Sequence, residues 1–207
     1  MSICIFDIFN RLDSTTYNHS IRVMSLAKEF EAAYEYNNED LSKAALVHDI
    51  GKIYVSSKIL DKTRSLSKVE KELVRLHCYI GYEILRSLGV KEDICQIVLC
   101  HHGENPIALS PVLCSNNKEV LDRASILRSL DAFEALTSDR PYHNTIPTKA
   151  AIQLMIKEGY HHPKVIEYLM DRARKNEYCG AIDKRYYVRD MDAVKEILSL
   201  WTSKITA

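Results

Sequence analysis

Seven imidazole or carboxylate side chains are spread through this sequence at positions where they could hold metal: His19, His48, Asp49, His77, His101, His102 and Asp131. Asp49 directly follows His48, about 100° round a helix, close enough for both to grip one ion or two adjacent ones. Lys52 comes three residues later, on the same face if the helix continues. Gly51 lets the backbone leave the helix there. Two metal ions about 3.5 to 4 Å apart need a bridging carboxylate and roughly three further protein groups each. With Asp49 as the bridge, the other six residues meet that count. Such a pair gives a bridging hydroxide at neutral pH and polarises a phosphoryl oxygen for in-line attack. Lys52 and Arg140 could neutralise the remaining phosphate charge. Asp49 and Lys52 are therefore the catalytic candidates. Mixed imidazole and carboxylate ligation suits iron, manganese, zinc or cobalt better than calcium.

The elements that must position these groups read as helices. Residues 14 to 36 repeat apolar side chains at helical spacing, with Ser14, Thr15 and Thr16 as cap candidates and His19 in the first turns. Asp40 is the expected cap of a second helix, which runs to His48 and Asp49. Residues 53 to 66 have no clean period and read as loop or short turns. Ser67 and Glu70 form a capping-box pattern ahead of a helix that carries His77 and stops at Gly89. Glu92 or Asp93 opens a further helix ending in His101-His102-Gly103; a pair that merely complements the helix dipole is the alternative there.

A loop from Gly103 to about Asn117 has the length of a lid or binding loop. The run from about 119 to 137 is apolar over a wide arc, so it reads as the central buried helix. Asp131 lies inside it, where a carboxylate needs a partner or a metal. Helices follow from Pro147 to Gly159 and from about 163 to 176. His161 and His162 are expected on the surface of the turn between them. A polar tail, with a candidate strand at Tyr186-Tyr187-Val188, leads to a helix over 190 to 203. The fold class is all-α, with residues 1–176 as the domain and 177–207 as a helical extension packed on it.

Composition bounds the rest. A chain of 207 residues is long enough for one sizeable core. Basic and acidic residues balance at 28 each, so nothing argues for general binding to nucleic acid or to an acidic membrane. No uncharged run approaches the roughly 20 residues of a membrane span. The start, Met1 to Asp7, lacks the basic lead of a signal peptide. Six cysteines have no CxxC pair and read as reduced and structural, which fits a cytoplasmic setting.

At this point the sequence resembles the HD superfamily of metal-dependent phosphohydrolases, and within it the HD-GYP family of cyclic di-GMP phosphodiesterases. His48-Asp49-Ile50-Gly51-Lys52-Ile53 is similar to the HD-x-GK core, with Lys58-Ile59-Leu60 following. The run His77 to Leu85 resembles the H-x3-G-x2-IL helix, and Cys100-His101-His102 the paired histidines. Ser129 to Tyr142 is similar to the D-x2-DALTSDRPY segment. The resemblance implies that His19, His48, Asp49 and Asp131 hold one ion and that Asp49, His77, His101 and His102 hold the second. It makes Lys52 and Arg140 phosphate contacts and adds His143 as a weak substrate contact. It implies two divalent transition metals, iron or manganese foremost, with zinc, cobalt or nickel as alternatives.

Three departures bear on the substrate and metals. The sequence after His102 reads Gly103-Glu104-Asn105-Pro106, without the Gly-Tyr-Pro that names the family. Thr15 stands where members with three metals have a glutamate, so two metals are expected. Glu134 replaces the second aspartate of D-x2-D. Two functions follow as expectations. One is a phosphohydrolase or phosphodiesterase acting on a nucleotide, cyclic di-GMP or another cyclic nucleotide among them. The other is a regulatory module that binds a nucleotide or a signalling protein and turns over little. A homodimer formed through Met1 to Phe9 and the final helix is a further expectation; those segments could equally close the core.

Overall fold

In the computed structural model, residues 4–36, 38–60, 62, 64–103, 115–138, 145–175 and 184–202 are described. The order is α1 (Ile5–Phe9), α2 (Ser14–Ala33), α3 (Asp40–Val47), the 3-10 helix η1 (Ile50–Tyr54), α4 (Ser57–Leu60), α5 (Lys68–Ser87), α6 (Glu92–Cys100), α7 (Lys118–Thr137), α8 (Thr148–Glu158), α9 (Pro163–Arg174) and α10 (Lys184–Thr202). No strand occurs among the described residues, so the fold is all-α.

Two short helices, α3 and α6, form the buried centre. Leu41, Ala44, Ala45, Leu46 and Val47 on the first are fully buried, as are Cys95, Ile97, Val98 and Leu99 on the second. A helix apolar on every side must be surrounded. The longer α2, α5 and α7 supply the surround, α2 packing on α3 and α7, and α6 lying against α3, α5 and α7. Helix α7 is buried over much of its circumference, through Val120, Ile126, Leu127, Leu130 and Phe133.

The entry to α3 is made by another helix. Glu39 holds the cap position without a side-chain cap bond, and Asp40 already lies in the first turn. The acceptor comes from buried Glu31 on α2, whose Oε1 takes the Leu41 and Ser42 amides at 3.0 and 3.2 Å. Asp40 instead meets Lys91 at 2.6 Å, tying the start of α3 to that of α6. The cap expected at Asp40 is thus replaced by a tertiary one.

Other boundaries differ from the sequence reading. Asp13, not Ser14 to Thr16, caps α2 by accepting from the Thr16 amide at 2.9 Å, and α2 stops at Ala33. Residues 53 to 66 are not wholly loop, since η1 and α4 occupy part of them. Helix α3 ends before His48 and Asp49, and 3-10 winding then carries the chain onward. Gly51 is not a left-handed helix exit, being absent from the glycines of positive φ. The Tyr186 to Val188 strand is not formed. Those residues lie in α10, because three extended residues without a paired neighbour gain no ladder bonds.

His161, expected on the surface, is buried at 8% exposure and bonds Glu158 Oε2 at 2.8 Å. The tight turn between α8 and α9 folds it inward, where the imidazole finds a partner. Cys4, Cys78 and Cys95 are free thiols, but Cys100 is disulfide-bonded. Spacing along a chain does not reveal which sulfurs a fold brings within bonding range. Ile5 and Phe9 are fully buried, and α1 packs against α10. No helix among the described residues is long and apolar enough to cross a membrane.

Candidate metal centre

The buried helices α3 and α6 end side by side, and each places a histidine at its C-cap: His48 on α3 and His101 on α6. Helix C-termini carry partial negative charge and favour cations. His77 comes from α5, His19 from α2 and Asp131 from α7. Five elements therefore converge on the point where α3 gives way to η1. His19, His48, Asp49, His77 and His101 are each at most 4% exposed.

Asp49 divides the site. Its Oδ1 lies 3.2 Å from His77 Nε2. Its Oδ2 lies 3.4 Å from His48 Nε2 and 3.8 Å from His19 Nε2. Asp131 Oδ1 adds to the second side, 2.9 Å from His19 Nε2 and 4.0 Å from His48 Nε2. On the first side His77 Nε2 is 3.5 Å from His101 Nε2. The His77 and His101 rings both lie near His102, edge-on and tilted, at centroid distances of 5.3 and 4.1 Å. Donor atoms of His19, His48 and Asp131 all lie within 4.8 Å of one another. The same holds for the group of His77, His101, His102 and Cys78.

The outward nitrogens fix which ring atoms are available. His48, His77 and His101 each place Nδ1 on the carbonyl three residues back: Ala45 at 2.8 Å, Val74 at 2.5 Å and Val98 at 2.6 Å. A carbonyl only accepts, so each Nδ1 carries the proton and each Nε2 presents a lone pair. His77 and His101 then face each other through two lone pairs, and His77 also faces the Asp49 carboxylate. A cation between them makes that arrangement favourable. The donor set thus fits divalent transition-metal ions, which take neutral imidazole and carboxylate. The Cys78 thiol, 3.5 Å from His77 Nε2, is pushed up by burial and stays protonated, a poorer donor than the imidazoles.

Charge follows the same geometry. Burial pushes the His48, His77, His101 and His102 pKa values down, that of His77 to about 3, so these rings are neutral at pH 7. Burial would raise Asp49, but the Lys52 ammonium and the protonated His19 beside it outweigh that and hold the carboxyl well below its usual range. Lys52 Nζ reaches Asp49 Oδ2 at 2.6 Å, the i to i+3 spacing surviving because η1 continues the turn. At His19 burial is overcome by the hydrogen bonds it donates to Asp131 and Glu134, and the pKa rises to about 9.

Arg22, and the part Glu134 plays beyond replacing an aspartate of D-x2-D, escape a reading of the sequence alone. Glu134 is fully buried. It accepts from His19 Nδ1 through Oε2 and from Arg22 Nε through Oε1. A signal was present: Glu134 follows Asp131 by three residues, as Arg22 follows His19, so each pair shares a helix face. Arg140 and His143 lie outside the described residues, as does most of the expected loop from 104 to 114.

The model of the HD domain family matches residues 16–136, from α2 to the end of α7. The chain belongs to the HD domain family. This HD domain is 30% identical over 165 residues to the 3'3'-cGAMP-specific phosphodiesterase 3 of Vibrio cholerae, covering 76% of this chain and 35% of that protein. It is 29% identical over 175 residues to a cyclic di-GMP phosphodiesterase of Thermotoga maritima, covering 79% and 47%. The HD domain thus spans less than half the length of these relatives. The phosphodiesterase PgpH HD domain of L. monocytogenes shares the fold, with a TM-score of 0.54, 15% identity and coverage of 97% of this chain and 99% of that one.

Proposed function

We propose that this domain hydrolyses a phosphodiester bond of a cyclic dinucleotide, using two divalent transition metals, iron or manganese. The observation that carries the reading is the division of Asp49, whose Oδ1 faces the His77 Nε2 while its Oδ2 faces the His48 and His19 Nε2 atoms. Its support from relatives is their named substrates, cyclic di-GMP and 3'3'-cGAMP.

His19, His48, Asp49 and Asp131 would hold one ion, and Asp49, His77, His101 and His102 the other. When bound, such a pair supplies an acidified water and a Lewis acid for a phosphoryl oxygen. The chain's own residues do the rest. The Nδ1 bonds of His48, His77 and His101 keep each Nε2 aimed inward, so these three donors need no reorganisation. Lys52 holds the Asp49 carboxylate and carries a positive charge at the edge of the site, where a phosphate oxygen would arrive. Arg140 and His143 are further phosphate contacts by their place in the sequence.

The test is turnover of cyclic di-GMP, 3'3'-cGAMP and cyclic di-AMP by protein purified without oxygen and loaded with iron(II) or manganese(II). An Asp49→Ala variant of unchanged helical content is the control. Release of linear dinucleotide that disappears in the control supports the reading; no turnover with two metals bound overturns it. A second reading, a regulatory module that binds the nucleotide and turns over little, is favoured by the missing Gly-Tyr-Pro after His102. Tight nucleotide binding without turnover would select it.

A further inference from the structure

The two groups around Asp49 differ in how their imidazoles are held. His48, His77 and His101 rest on neutral backbone carbonyls. His19 instead rests on a carboxylate, that of Glu134. A carboxylate behind a histidine raises the basicity of its other nitrogen and fixes the ring more firmly than a carbonyl does.

The groups differ in charge as well. Beside His19 and His48 stand Asp49, Asp131 and, one step back, Glu134. Lys52 offsets Asp49 and Arg22 offsets Glu134, which leaves Asp131. Among the described residues, the anionic oxygen beside His77, His101 and His102 is the Asp49 Oδ1 shared with the other side. One position therefore has a carboxylate of its own, Asp131, balanced in the metal-free protein by protonated His19, whose proton an arriving ion would displace; the other is imidazole with a shared carboxylate.

Resting on the metal reading above, we propose that the two positions are unequal and fill in order. The His19, His48, Asp49 and Asp131 position takes its ion first, and Glu134, anchored by Arg22, is the positioning residue that sets the order. The second ion, held mainly by neutral imidazoles, is the exchangeable one.

Glu134 suits this task because two donors on one face of α2 need two acceptors. Oε2 takes His19 Nδ1 and Oε1 takes Arg22 Nε. A glutamine has a single acceptor oxygen, so it satisfies His19 or Arg22 and sets its amide N–H against the other.

The test is a titration of the metal-free 207-residue chain with manganese(II), followed by electron paramagnetic resonance and by dialysis with metal analysis. In the wild type the first equivalent should give the signal of isolated ions, and the second the broadened spectrum of a coupled pair. The two dissociation constants should differ at least about tenfold. Glu134→Gln should weaken the first step by about 10- to 100-fold, the range typical of lost outer-shell partners, so that the steps merge. Adding Arg22→Met should restore part of that loss, because the glutamine carbonyl can then turn to His19. The 15N shifts of the His19 ring should report the lost tautomer in the single variant and its return in the double one. A coupled pair at half an equivalent in the wild type overturns the order, and needs no variant to fold. A Glu134→Gln variant that titrates like wild type overturns the role of Glu134. A wild type that binds no manganese(II) instead removes the metal reading itself.

Discussion

Gly51 lies flush on the backbone of His77. A Cβ at position 51 would come within 2.9 Å of the His77 carbonyl carbon, closer still to its oxygen, and within 2.7 Å of the Gly81 amide nitrogen. No side-chain motion relieves a clash with backbone, so η1 and α5 approach as they do because residue 51 has no side chain. That approach sets His77 Nε2 against Asp49 Oδ1. Gly51→Ala should cost about 1 to 3 kcal/mol, the usual price of overpacking. It should also lower bound metal from two ions towards one, measured by thermal melting and metal analysis on the same sample.

Removing the tertiary cap on α3 should be felt at His48. Glu31→Ala leaves the buried Leu41 and Ser42 amides without an acceptor, a loss of about 1 to 3 kcal/mol in urea unfolding. Glu31→Gln keeps an oxygen in place and should recover most of it. Equal losses in the two variants would show that the carboxylate charge, not the acceptor, matters.

Lys52→Ala should separate metal binding from turnover. Lys52 contacts Asp49 but is not among the imidazole and carboxylate donors, so both ions should stay. Loss of its charge near the developing oxyanion should lower kcat by about 10²- to 10³-fold with KM changed less. Loss of metal in this variant would mean that Lys52 chiefly orients Asp49.

The capping box on α5 gives a pH dependence of known sign. Lys62, the Ser67 amide and Arg64 hold Glu70 at a pKa of about 2, below its ordinary value of 4.5. Its folded pKa is depressed, so its stabilisation is complete above about pH 4.5 and is lost as pH falls towards 2. In metal-free protein the melting temperature of wild type should exceed that of Glu70→Gln at pH 6. The gap should close between pH 4.5 and 2; a gap constant over that range would refute the assignment.

Metal should also stabilise the fold, because the folded state assembles the donors from five elements and the unfolded chain does not. Saturating manganese(II) at about 100 times its dissociation constant should add about 2.7 kcal/mol per site. Asp49→Ala, which removes the shared oxygen, should abolish most of the gain in melting temperature.

The helices that carry the site were legible because each is long or strongly apolar. The Ser67 and Glu70 box, the glycine at the end of α8 and the broad apolar arc of α7 are local signals, decided within one or two turns. The boundaries that failed depend on a distant partner. Asp40 looks like a cap, yet Glu31 takes that task from another helix. Tyr186 to Val188 has strand composition, yet it lies in α10 with no strand beside it among the described residues.

For the site, residue types and spacing alone determined the donor inventory: five histidines, Asp49 and Asp131 at ends or on faces of apolar helices. Local chemistry is written in the order of residues. The tertiary structure alone decided how Asp49 divides its oxygens, that Glu134 and Arg22 stand behind His19, and that Gly51 must be bare to admit His77. These are relations between side chains far apart in sequence. They depend on helix crossings fixed by the packing of α2, α3, α5, α6 and α7, and no periodicity along a single chain records such distances.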